Sequence, residues 1–153
     1  MQVALTKETI NTQYTLVSDD ERMEFLPKHF GDLFQKFESL LFTVASKTIK
    51  GYNGGYWEFA TTEDAIPFAF PRASEPLTVT TMFGTSEAQI PTQIAGILCT
   101  ALATLIMAER AKFYGISEDQ TEQLIDLYYN LVSTGRNFAE DCDCEQEYFR
   151  LVD

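Results

Sequence analysis

The run Ile94–Ala108, I-A-G-I-L-C-T-A-L-A-T-L-I-M-A, constrains this chain more than any other stretch. It carries no charge and is apolar almost all the way round, so as a helix it has no face to offer water. Such a helix needs other elements on most of its sides, which predicts a fold assembled around it. Pro91 stands just before it, where the missing N–H of a first-turn proline costs nothing. As a membrane span the run is short, and Thr100 and Thr104 interrupt it. Gly96 inside it costs about 1 kcal/mol against alanine, which predicts close packing on a neighbour.

The elements available to surround that helix can be read from pattern. Residues 1–17 alternate weakly and read as a loosely ordered arm with room for one edge strand. Ser18 before Asp19, Asp20 and Glu21 is an N-cap followed by first-turn acids, and the short helix it starts should end before Pro27. Phe30, Leu33, Phe34, Phe37, Leu40, Leu41 and Val44 recur with helical period, predicting an amphipathic helix from about His29 to Thr48 with Gly51 as its C′ residue. Three β-type runs follow. Tyr56–Thr62 alternates, with Trp57 and Phe59 on one face and Tyr56 and Glu58 on the other. Pro67–Pro71 has prolines that suit an edge, and Leu77–Phe83 leads into a turn at Gly84. Connections this short favour antiparallel pairing. After the apolar helix, closed by Gly115, Ser117 and Gln120 form a capping box for a last long helix. Leu124, Leu127, Tyr128 and Leu131 give that helix its buried stripe. These elements predict an α+β fold: residues 18–153 as one compact domain, with a small antiparallel sheet of about three to four strands packed against several helices.

Composition agrees with a folded globule, at 45% apolar and 13% aromatic residues over 153 positions. The net charge of −12 is the unusual quantity. It repels phosphate backbones, so direct DNA binding through a basic face is not expected, whereas a basic protein surface would be attracted. The excess is uneven. Residues 117–153 hold ten acids against two bases, and all the rest hold thirteen against nine. Cys99, Cys142 and Cys144 make an odd count without a framework spacing, which suits reduced thiols in a cytoplasm. The first residues lack a basic stretch leading into an apolar one, so no secretory signal is expected.

Chemistry-bearing motifs are few. His29 is the single histidine and has no local nucleophile beside it, so a capping or surface role is the default. Cys142-Asp143-Cys144 offers two thiols where a structural zinc needs four ligands. Nearby carboxylates should raise the pKa of those thiols and make them less reactive. Glu118, Glu122 and Asp126 fall at i, i+4, i+8, a row with about 6 Å between members on a helix. That is near the roughly 7 Å between phosphates along a DNA strand. A DNA-mimicking stripe has this look, and so does an ordinary solvated helix face. In Tyr52–Phe59, Y-N-G-G-Y-W-E-F, Asn53, Gly54 and Gly55 supply the positive-φ positions of a tight turn, and Trp57 then anchors a strand.

That octet also belongs to an ordered set. L-P-K-H-F-G (Leu26–Gly31), F-E (Phe37–Glu38), the octet itself, A-G-I-L (Ala95–Leu98), L-I-D-L-Y (Leu124–Tyr128) and R-L-V-D (Arg150–Asp153) together resemble the ArdB/KlcA antirestriction family over residues 18–153. One departure stands out: Asp64-Ala65-Ile66 replaces the second N-G-G turn usual in the family, which puts target range in question if that turn contacts the target. The resemblance implies a small cytoplasmic protein carried by plasmids, phages or genomic islands that relieves type I restriction of incoming DNA. It implies no enzyme activity, catalytic residue, cofactor or metal. The implied partner is a type I restriction–modification enzyme or an associated host protein. Asn53, Gly54, Gly55, Tyr56, Glu118, Glu122 and Asp126 are the candidate interaction residues. An acidic adaptor of the same fold with another protein target is the alternative.

Overall fold

Helix α3, Thr92–Glu109, is the axis of the molecule. In the computed structural model, which describes residues 14–73 and 76–152, thirteen of its residues are buried. It is long and apolar enough to cross a membrane, but 72% of it lies inside the fold, as befits a core helix. Around it lie helix α2 (Phe34–Thr48), strand β3 (Pro67–Pro71) and helix α5 (Glu118–Asp141). The close approach expected at Gly96 is to β3, where a Cβ would overlap the Ala69 carbonyl oxygen and the Cβ of Phe70.

Strand β3 shows why its prolines are tolerated. It pairs antiparallel with β2 (Trp57–Thr62), with Thr61 opposite Pro67 and Trp57 opposite Pro71. Two bonds fix the phase of the ladder: Thr62 N–H donates to the Ile66 carbonyl (3.0 Å) and Arg72 N–H to that of Tyr56 (2.8 Å). Alternate residues therefore face β2, and positions 67, 69 and 71 turn their backbone groups to the outer edge. Two of those three are prolines with no N–H to strand. The third, Ala69, donates to Thr100 Oγ1 on α3 (3.2 Å). The Thr100 hydroxyl in turn donates to the Gly96 carbonyl one turn back (2.8 Å). Helix α3 thus covers the sheet edge, and all five residues of β3 are buried.

On the other side of β2 runs β1 (Tyr14–Leu16), giving a three-stranded sheet in the order β1-β2-β3. Part of the expected N-terminal arm is therefore an edge strand, and residues 1–13 lie outside the described residues. A second, two-stranded antiparallel sheet joins β4 (Leu77–Thr80) to β5 (Glu87–Ile90). The antiparallel α+β architecture is as expected, with five short strands divided between two sheets rather than gathered into one. The Leu77–Phe83 run ends as strand at Thr80 because Thr81 turns the chain. Its hydroxyl accepts from Thr85 N–H (2.9 Å) and Ser86 N–H (3.3 Å).

The N-terminal helices correct two expectations. Helix α1, Arg22–Phe30, follows a 3-10 turn at Asp19–Glu21 and runs through Pro27 instead of ending before it. Phe25, Leu26 and Phe30 on this helix are all buried, and that packing outweighs one lost backbone bond. The predicted His29–Thr48 helix is divided at Gly31 (φ +58°): His29 and Phe30 close α1, a 3-10 turn spans Gly31–Leu33, and α2 begins at Phe34. Periodicity ran straight across the break because Phe30 and Phe37 stack over it, ring centroids 3.9 Å apart. Gly51 (φ +76°) lies in the turn after α2, beyond the Ile49 cap.

Helix α3 ends at Glu109. A further turn, α4 (Ala111–Tyr114), comes before the left-handed Gly115 that closes it. The Ser117–Gln120 capping box is present, and α5 runs from it along α3. Helix α6 (Glu145–Val152) then folds back on α5 and β5. Its Tyr148 is fully buried and donates its hydroxyl to the Val132 carbonyl (2.6 Å). The ring fits because residue 135 is glycine: a Cβ there would stand 2.5 Å from the Tyr148 oxygen.

Candidate interaction surface

Tyr52 and Trp57 bracket the glycine turn from below. Trp57 is buried, and its indole N–H donates to the Tyr52 hydroxyl (2.9 Å). Between them Gly54 and Gly55 have φ of +98° and +122°, with no atom within 4 Å of where a Cβ would stand. The glycines therefore serve backbone conformation and openness, with no packing to satisfy. Asn53 and both glycines are exposed, but only the glycines take positive φ. No hydrogen bond closes 53–55 into the tight turn expected, so the segment is an open connection into β2.

Tyr56, next along, is held outward. Its ring lies between two guanidinium groups, Arg22 at 4.4 Å and Arg72 at 4.3 Å from the centroid. Each contact is worth roughly 0.5–1 kcal/mol at an exposed site. Glu58 ties the group together, accepting from Arg72 Nε (3.0 Å) and Nη2 (2.5 Å) with Arg22 Nη1 at 3.9 Å. Arg22 also donates to the Trp57 carbonyl (2.8 Å) and lies over Phe59, which stacks on Phe25. A half-exposed tyrosine is thus fixed beside an open turn. The turn and Tyr56 are legible in the sequence as neighbours. Arg22 and Arg72 are not, because only the β2–β3 register and α1 packing bring them in.

Glu118, Glu122 and Asp126 all lie on exposed positions of α5, as the spacing requires, and none is in an ion pair among the described residues. The fold presents them on a different element from the glycine turn: α5 packs on α3 and α6, whereas the turn joins α2 to β2. A second acidic feature has no local signal. Glu63 and Asp64, in the β2–β3 turn, meet Glu140 and Asp141 of α5 around a polar cleft of about 370 Å³.

The remaining candidates have structural surroundings. Burial and neighbouring Lys28 lower the pKa of His29, whose ring packs against Phe25. Cys99 is buried and its thiol is pushed up to about 12. Cys144 is raised too, first by its hydrogen bond with Cys142 and then by burial, with Glu147 and Glu145 contributing. Among the described residues no group of three or more His, Cys, Asp or Glu is placed to hold a metal ion.

The fold is that of a small α+β protein with an exposed glycine segment beside a held tyrosine and acidic residues on separate elements. Residues 50–153 match the family described as antirestriction protein. The chain belongs to that family, the one that contains KlcA and ArdB. An antirestriction protein KlcA of Escherichia coli is 29% identical over 140 residues, covering 91% of this chain and 93% of its own. A second Escherichia coli KlcA is 26% identical over 129 residues, covering 82% and 86%. A solved structure from work on KlcA and ArdB superposes with a TM-score of 0.73 at 24% identity, over 88% of this chain and 93% of that one. KlcA and ArdB are described there as having a novel fold, with antirestriction activity against type I DNA restriction systems in vivo but not in vitro.

Proposed function

We propose that this chain relieves type I restriction of incoming DNA in the cytoplasm, without catalysing a reaction. It would do so by contact with the restriction enzyme or a host protein associated with it. The family match over residues 50–153 carries this reading. Activity in vivo but not in vitro, as described for KlcA and ArdB, fits an action that needs a cellular component besides the restriction enzyme. A net charge of −12 argues against gripping the DNA directly. The Asn53–Tyr56 segment is the surface best suited to the contact. Tyr56 at its end is already held outward by Arg22 and Arg72, so ordering that side chain adds little cost when a partner docks.

The test is transfer of unmodified plasmid into a type I restricting host with and without expression of the chain. Recovery should rise towards that of host-modified plasmid. Undiminished restriction at good expression would refute the proposal and leave an adaptor of this fold with another target.

A further inference from the structure

The corner between α5 and α6 holds two cysteines in contact. Cys142 is the C-cap of α5, and Cys144 stands before α6, its carbonyl accepting from Tyr148 N–H (3.0 Å). Cys144 N–H donates back to the Ala139 carbonyl (2.9 Å) and Asp143 N–H to that of Glu140 (3.3 Å). This pair of bonds closes a helix through a left-handed residue, a place glycine usually takes. Here the residue is Asp143, at φ +58°. The conformation is costly for an L-residue, yet it has a geometric result. A left-handed turn brings the Cα atoms on either side of it to about 5.4 Å, inside the range a disulfide spans. An extended residue would hold them at roughly 6.6–7 Å, at or beyond its limit. The side chains converge as well, for the two thiols hydrogen-bond to one another. Both are half-buried, so small molecules reach them. Cys99 differs on each count: it is buried, and its sulfur contacts Thr48 Oγ1 (3.7 Å).

We propose that Cys142 and Cys144 are a reversible oxidation site, closing to a disulfide on reaction with a neutral low-molecular-weight disulfide. The Cys142 sulfur attacks one sulfur of the oxidant, whose other half leaves as a thiolate and takes up the proton Cys142 gave up. Cys144 then attacks Cys142 Sγ, and its proton passes to the second departing thiolate. Two protein thiols lose two electrons, and one disulfide is reduced to two thiols. The order follows from the pair. Cys144 holds its proton firmly, through its bond to Cys142, burial, and Glu147 and Glu145, so it is the resolving thiol. Those carboxylates also repel an anionic disulfide, which leaves a neutral one as the reagent. The corner already has the geometry of the ring, so closure leaves α5 and α6 in place. In the cytoplasm proposed above for this chain, such a bond is transient and registers an oxidising episode.

The test is incubation of the native full chain with bis(2-hydroxyethyl) disulfide and its thiol in varied ratio, followed by acid quenching and intact mass. The product should be about 2 Da lighter than the reduced chain, with Cys142 linked to Cys144 and Cys99 still a thiol. Cys144→Ser, which keeps a good capping residue before α6, should stop at an adduct of one oxidant half on Cys142. Ring closure should be favoured about tenfold or more in the native chain over the chain in urea, because the folded corner presents the sulfurs together. An adduct without closure in the native chain, a linkage that includes Cys99, or equal closure in native chain and in urea would each overturn the proposal.

Discussion

Ala65 holds a conformation that its side chain resists. It closes the β2–β3 hairpin at φ +64°, where Thr62 N–H donates to the Ile66 carbonyl and Ala65 N–H to that of Thr62. A three-residue loop ending in a left-handed residue favours glycine there, and an L-residue in that region costs roughly 1–2 kcal/mol. Glycine returns some of this as chain entropy, about 0.5–1 kcal/mol. Ala65→Gly should therefore stabilise the fold by about 0.5–1 kcal/mol, raising the thermal midpoint by roughly 1–3 °C. A midpoint unchanged or lowered in a thermal melt would show that the turn carries no such strain. The departure Asp64-Ala65-Ile66 was visible in the sequence as a missing glycine. Its consequence was not, because the same three residues suit several turns until strand register fixes φ. Gly135 was unreadable for a similar reason: its cause, Tyr148, arrives from the next helix.

At the scale of elements, the pairing of α3 with the edge of β3 is the junction on which the two layers depend. Thr100→Val keeps shape but leaves the Ala69 N–H buried without its acceptor, a loss of about 1–3 kcal/mol. Thr100→Ser keeps the hydroxyl and should cost less. Gly96→Ala forces a methyl into the Ala69–Phe70 backbone and should cost about 1–3 kcal/mol or more. Urea unfolding orders the three variants, and equal stability of Thr100→Val and Thr100→Ser would exclude the hydroxyl as the edge cap. Much of this layer was legible: an all-apolar helix with one glycine had to be central and closely approached, and prolines in a strand had to lie at an edge. Boundaries fared worse where packing overrode local rules. Pro27 sits inside α1 because Phe25, Leu26 and Phe30 need the core. Gly31 broke a helix whose apolar stripe continues on both sides. Strand β5, Glu87–Ile90, is too short and polar to announce itself.

For the molecule as a whole, the question is which surface would carry the proposed relief of restriction. The glycine turn and the α5 carboxylates were both readable as motifs, and the fold separates them onto different elements. That separation makes them independently testable. The carboxylates form one row of three on an exposed helix face whose opposite side is buried on α3, the ordinary outcome for an amphipathic helix. Their charge adds to a field that speeds encounter with basic surfaces and fades with salt, so it acts on approach more than on the docked complex. The glycine segment has an outward tyrosine held by two guanidinium groups and an open backbone, which suit a docked contact. Neutralising Glu118, Glu122 and Asp126 together to the amides should leave most relief of restriction intact. Tyr56→Ala and Gly55→Val should abolish it. Tyr56→Ala gives up two guanidinium contacts, about 1–2 kcal/mol in all, so it should remain folded. Thermal melts run beside the plasmid-transfer assay separate contact from folding. Lost relief in a folded Tyr56→Ala chain places the contact at the turn. Full relief in both turn variants, with loss on charge neutralisation, would move it to α5 and make electrostatic mimicry the mechanism.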